Sequence, residues 1–116
     1  MRRSLIVEDI LLIEPAYKNK YPPMKIAYFH RYIMHDYVRF AKGRLPEGLE
    51  NKKWDRVYVT TLFTFEWENT KKALQYALSV VKPGGKVFTG GILATLRPEW
   101  IAKEFPTVIN NTGLLN

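Results

Sequence analysis

The chain of 116 residues contains no cysteine. That excludes disulfide staples, a thiolate nucleophile and an iron–sulfur cluster held by the chain's own thiolates. Histidine is scarce too, with His30 and His35 alone. A zinc site would therefore need carboxylate ligands, and metal-ligand spacings such as H-E-x-x-H do not occur. Long apolar runs are missing: none approaches the roughly 20 residues of a membrane-spanning helix. The opening residues carry Arg2 and Arg3 but reach Glu8 and Asp9 too soon for a signal peptide, so a cytoplasmic chain with no membrane partner is expected. Walker-type phosphate loops and a G-x-S-x-G elbow are absent. So is any block of five or six like charges. The net charge is nevertheless +7. Because the lysines and arginines are scattered, a solvated basic surface is the first reading, with nucleic acid or another anion as the class of partner such a charge attracts.

What the chain has is a high apolar content, 47% hydrophobic and 14% aromatic, at a length that suits one core. A single α/β domain over 1–116 is expected, with residues 1–9 as lead-in and 110–116 as terminal loop. Ile10–Ile13 is an apolar run closed by Glu14-Pro15, which reads as a first strand. Ala16–Pro23 reads as a loop. From Met24 to about His35 the spacing of Ile26, Phe29, Ile33 and Met34 predicts a helix with one apolar stripe. Tyr37–Phe40 reads as a second strand, and Arg44–Lys53 as loop.

Trp54–Thr61 is rich in β-branched and aromatic residues without strict alternation, as in a strand covered on both faces. Glu66–Val81 is the clearest helix, with Ala73, Leu74, Ala77, Leu78 and Val81 on one face and Lys71, Lys72, Gln75 and Ser79 on the other. Pro83-Gly84-Gly85 is its stop signal. Lys86–Thr89 reads as a fourth strand, Pro98–Phe105 as a short helix and Thr107–Ile109 as a fifth, edge strand. Alternation of this kind predicts a mostly parallel sheet of about five strands between two helix layers, flavodoxin-like or Rossmann-like.

In such a sheet, ligands sit beyond the carboxyl ends of the strands. Three segments should meet there: Glu14–Lys20 (with Pro15 and Tyr17), Thr60–Phe65 (with Thr61, Leu62 and Phe63) and Thr89–Thr95 (with Gly90 and Gly91). Threonine hydroxyls can donate or accept, glycines let a backbone approach a bulky guest, and Phe63, Phe65 and Trp67 would form an apolar wall. The pattern suits a large cofactor with a heterocyclic end, and equally a plain strand-to-turn glycine pair beside a hydrophobic loop. Glu14 and Asp55 fall at opposite ends of their strands and cannot act as an acid–base pair.

These residues resemble the cobalamin-binding domains of methionine-synthase and mutase type, whose signatures are D-x-H-x-x-G, S-x-L and G-G. Thr60-Thr61-Leu62 matches S-x-L with threonine for serine, and Gly90-Gly91 matches the glycine pair. The text is still more similar to the N-terminal domain of cobalamin-dependent radical S-adenosylmethionine enzymes. The shared segments are ILLIEP, a Y-P-P loop, WDRVYVTTLFTF, GGKVFTGGILATL and Gly113-Leu114-Leu115, spanning about Ile10 to Leu115.

The resemblance implies cobalamin as cofactor, cradled by Glu14, Pro15, Tyr17, Thr60, Thr61, Leu62, Phe63, Gly90 and Gly91. It also implies a radical S-adenosylmethionine domain or protein as partner. D-x-H-x-x-G is absent, so no histidine ligand to cobalt is implied, and neither is a cluster in this chain. The C-x-x-x-C-x-x-C loop of the radical half is not here either, so a binding module, excised or free-standing, and not a catalyst on its own, is the expectation. Two rival readings come from the residues: a non-catalytic protein- or nucleic-acid-binding module using Tyr17, Tyr21 and Trp67 beside Lys18, Lys20 and Lys25, and a Rossmann-type methyltransferase fragment suggested by Lys82-Pro83-Gly84-Gly85. The second lacks a glycine in Glu14–Pro23, where the cofactor loop should be.

Overall fold

In the computed structural model of the chain, the described residues are 7–14, 27–42, 52–61 and 67–110. Five strands form an all-parallel sheet: β1 (Asp9–Glu14), β2 (Tyr37–Lys42), β3 (Trp54–Thr61), β4 (Val81–Gly91) and β5 (Ile109–Asn110). Their order across the sheet is β2-β1-β3-β4-β5, the flavodoxin-like arrangement, which has its switch point between β1 and β3. The helical elements are α1 (Phe29–Ile33), α2 (Trp67–Val80), α3 (Ile92–Leu96) and α4 (Pro98–Glu104). The expected flavodoxin-like three-layer architecture is the one observed.

Side chains alternate across the sheet because successive residues of a strand face opposite ways. One face presents Leu11, Ile13, Val57, Val59 and Val87 and is packed by Ala73, Leu74, Ala77 and Val80 of α2, Leu93 and Ala94 of α3, and Ile101 of α4. The other presents Ile10, Leu12, Val38, Tyr58 and Phe88, with Ala27 packed on them. A parallel sheet needs both faces covered, which is why Val57–Val59 shows no alternation.

Several elements differ from the sequence expectation. Helix α2 ends at Val80, because Val81 pairs with Trp54 as the irregular opening of β4; a register shift follows before Arg56 meets Lys86. Its inward face accordingly gains Thr70 and Val80, while Leu78 lies exposed. Helix α3 was not expected: it begins directly after Gly91, inside a segment read as loop.

The largest departure is α1. Of the expected stripe of Ile26, Phe29, Ile33 and Met34, Phe29 and Ile33 are not on the buried face. Ala27 and His30 turn inward, while Phe29 and Ile33 are 44% and 57% exposed. The turn is wound as a π-helix, with the Met34 N–H reaching the Phe29 carbonyl at 3.0 Å, an i→i+5 bond. Met24, Ile26, the Ala16–Pro23 loop with its Y-P-P, Gly43–Asn51 and Asn111–Asn116 lie outside the described residues. Among the described residues, no helix is long and apolar enough to cross a membrane.

Candidate functional site

The carboxyl ends of β1, β3 and β4 lie side by side. Ile13 pairs with Val59, so Glu14, which closes β1, stands level with Thr60 near the end of β3. Thr60 pairs with Gly90, and Thr61 with Gly91. Of the nine residues expected at the site, Glu14, Thr60, Thr61, Gly90 and Gly91 are thus brought together at one rim. Pro15, Tyr17, Leu62 and Phe63, with Phe65 of the expected wall, lie outside the described residues. Glu14 and Asp55 are at opposite ends of the sheet, as their places in β1 and β3 require.

The rim is tightly bonded to itself. Thr60 Oγ1 donates to the Ile13 carbonyl at 3.4 Å, and Thr61 Oγ1 donates to the Gly90 carbonyl at 2.8 Å while accepting the Ala94 N–H at 3.0 Å. Thr89 Oγ1 donates to the Val59 carbonyl at 2.9 Å. The threonine hydroxyls therefore lock β3 to its neighbours and position the first turn of α3.

Gly91 has φ +106°, and a Cβ built there would run into the Thr61 carbonyl oxygen. Glycine is required at this position because β3 and the start of α3 press together. Asn110, at the end of β5, donates to the Ala94 carbonyl at 3.0 Å, and its own Oδ1 has no hydrogen-bond partner among the described residues. Such a rim fits a guest held by backbone and shape. It does not present free threonine hydroxyls, and no histidine stands there.

The histidine is elsewhere, in an arrangement the sequence did not disclose. His30 Nδ1 lies 2.7 Å from Asp36 Oδ2, and His30 Nε2 lies 2.9 Å from the Tyr58 hydroxyl. The carboxylate can only accept, so in the neutral ring Nδ1 carries the proton and Nε2 accepts from the phenol. Asp36 Oδ1 also accepts the Glu8 N–H at 3.1 Å. All three side chains are buried. Tyr58 stacks on Phe88 with ring centroids 4.9 Å apart.

Burial pushes the Tyr58 phenol above its ordinary value, outweighing the opposite pull of Arg56 beside it. The order acid–imidazole–hydroxyl is that of a catalytic triad, but both ends are packed away from solvent. It works as a latch between α1, the start of β2 and the centre of β3. His35, which precedes Asp36, has φ +59° and reverses the chain after the helix. The only hint in the sequence was Tyr58 itself, an inward-facing phenol that must find a partner.

Trp67, expected in the apolar wall, opens α2 and is half-buried against Trp100 at 5.4 Å and Phe105 at 6.5 Å. These indoles, with Lys103 and Glu104, line an open groove of about 360 Å³. Lys71 lies over Trp67 and Arg97 over Trp100. Among the described residues no three His, Asp or Glu side chains gather to hold a metal ion. No family model matches the chain, and no curated protein matches it.

Proposed function

We propose that the chain is a cobalamin-binding-like module related to the N-terminal domain of cobalamin-dependent radical S-adenosylmethionine enzymes. In this reading it cradles the cofactor and leaves catalysis to a partner that carries the cluster. The observation that supports it is the juxtaposition of Thr60-Thr61 with Gly90-Gly91 at the carboxyl rim of a β2-β1-β3-β4-β5 sheet, the place where folds of this order take their ligands. Glu14, Thr60, Gly90 and Gly91 would flank the guest through backbone and shape. The chain supplies the seat, and the chemistry belongs to the cofactor. No histidine would ligate cobalt, because His30 is held by Asp36 and Tyr58 on the α1 side of the sheet.

Titration of the chain with hydroxocobalamin, read by visible absorbance and calorimetry, tests this. Saturable one-to-one binding is expected, without the spectral change of an imidazole-ligated cobalt and unaltered in His35→Ala. Absence of binding at about 100 μM, weaker than roughly −5.5 kcal/mol, would sink the proposal.

A further inference from the structure

Helix α1 shows solvent what a helix ordinarily hides. Tyr28 is 60% exposed, Phe29 44%, Tyr32 66% and Ile33 57%. The Tyr28 and Tyr32 rings stand 5.1 Å apart, tilted by 42°. The latch described above is the cause: His30 is pulled to Tyr58 and Asp36, which sets the rotation of the turn and leaves its aromatic side facing outward. The same helix carries Arg31, exposed, whose Nη2 donates to the Val38 carbonyl at 3.0 Å and whose guanidinium lies 5.3 Å from the Phe40 ring. Arg39, on the edge strand β2, pairs with Leu11 and so belongs to the opposite face of the sheet, the one α2 covers. From Ala27 to Lys42 the sequence has one acid, Asp36, and it is buried against His30. The surface of this segment is therefore aromatic and cationic, with no carboxylate facing out.

We propose that the outer face of α1, with Tyr28, Phe29, Tyr32 and Arg31, is a docking surface for single-stranded nucleic acid. Bases offer π-faces to the rings, and phosphates offer charge to Arg31; this pairing is sequence-tolerant and needs no built pocket. A second copy of the chain is a poorer occupant, since a two-fold contact would set Arg31 near its own kind without an outward-facing acid on this segment to offset it. An acidic peptide matches the charge but leaves the rings unstacked. The net charge of +7 adds a long-range attraction of the same sign. This inference is independent of cobalamin, because it uses the helix side of the sheet and not the strand ends.

The test is fluorescence anisotropy of labelled oligothymidylate with the full chain, with a duplex of equal length as comparison. Binding is expected to prefer the single strand, to weaken steeply as salt rises, and to fall roughly tenfold for each ring removed in Tyr28→Ala and Tyr32→Ala. Both rings are on the outer face, so these variants should keep the fold. Tyrosine ring signals of the unmodified chain, followed by NMR on adding the oligonucleotide, read the same contact without a substitution. The inference is overturned by salt-independent or absent binding, by variants that bind like the parent, by unmoved tyrosine signals, or by polyglutamate displacing the oligonucleotide as well as unlabelled DNA does.

Discussion

At the scale of single residues, two positions carry constraints that their neighbours do not. Gly91 combines a positive φ with a Cβ position that falls on the Thr61 carbonyl. Gly91→Ala should lower the unfolding free energy by more than about 2 kcal/mol, read from the midpoint of urea unfolding. Gly84 also has positive φ but open space around it, so Gly84→Ala should cost only about 1 kcal/mol. Equal costs would show that strain, and not contact with β3, is what Gly91 avoids.

Tyr58 gives a pH signature. Its phenol is raised above the ordinary 10.0, first by burial. A raised acid favours the neutral form in the folded protein, so its contribution to stability is complete below pH 10 and is lost as pH rises through the folded value. In a phenolate absorbance titration, Tyr58→Phe should remove a late-ionising tyrosine. The same substitution should also flatten the loss of stability above pH 10. An unchanged upper limb in both measurements would contradict the assignment.

Elements show how one chemical group can act with opposite sign. Thr70 is fully buried on the inward face of α2, and its Oγ1 has no hydrogen-bond partner among the described residues. Removing a buried, unsatisfied hydroxyl relieves its desolvation cost, so Thr70→Val should stabilise the protein by about 1 kcal/mol. Thr61, at the end of β3, has its hydroxyl bonded on both sides. Thr61→Val would strand the Gly90 carbonyl and the Ala94 amide and should destabilise by about 2 kcal/mol. Thermal unfolding of the two variants side by side decides the matter, and shifts of the same sign would refute it.

This scale also shows where reading by period succeeds. Helix α2 and strand β3 were legible because most of their partners impose a simple repeat, 3.6 or none. Helix α1 was not, since a buried histidine sits where the repeat would place Phe29 or Ile33. Helix α3 was hidden because Gly90-Gly91 reads as a break, whereas the structure uses the pair to turn from a strand directly into a helix.

At the scale of the whole molecule, several of the described ion pairs gather at one end of the sheet. At the amino end of the sheet, Lys52 bridges Asp9 at 3.1 Å, Lys82 approaches Asp55 at 3.3 Å, and Arg56 bonds Glu8 at 3.1 Å. The Asp9 amide donates to Asp55 at 2.7 Å. These pairs are partly exposed, so each contributes little. Raising salt from about 0.1 M to 1 M shortens the screening length from roughly 10 Å to 3 Å. The unfolding free energy should then change by less than about 2 kcal/mol, as measured by denaturant titration at both salts. A larger loss would mean the pairs contribute more than their exposure indicates.

The order of residues by itself determined the layered architecture, the parallel sheet and the meeting of Thr60-Thr61 with Gly90-Gly91. All of these follow from local periodicity and from the handedness of strand crossovers. Tertiary structure alone decided that the rim hydroxyls bond to their own backbone, that His30 joins Asp36 to Tyr58, and that the aromatic side of α1 faces water. The physical reason is reach. His30 and Tyr58 are 28 positions apart, as are Asp36 and Glu8, and no repeat in the chain specifies which polar groups will find each other once the strands have paired.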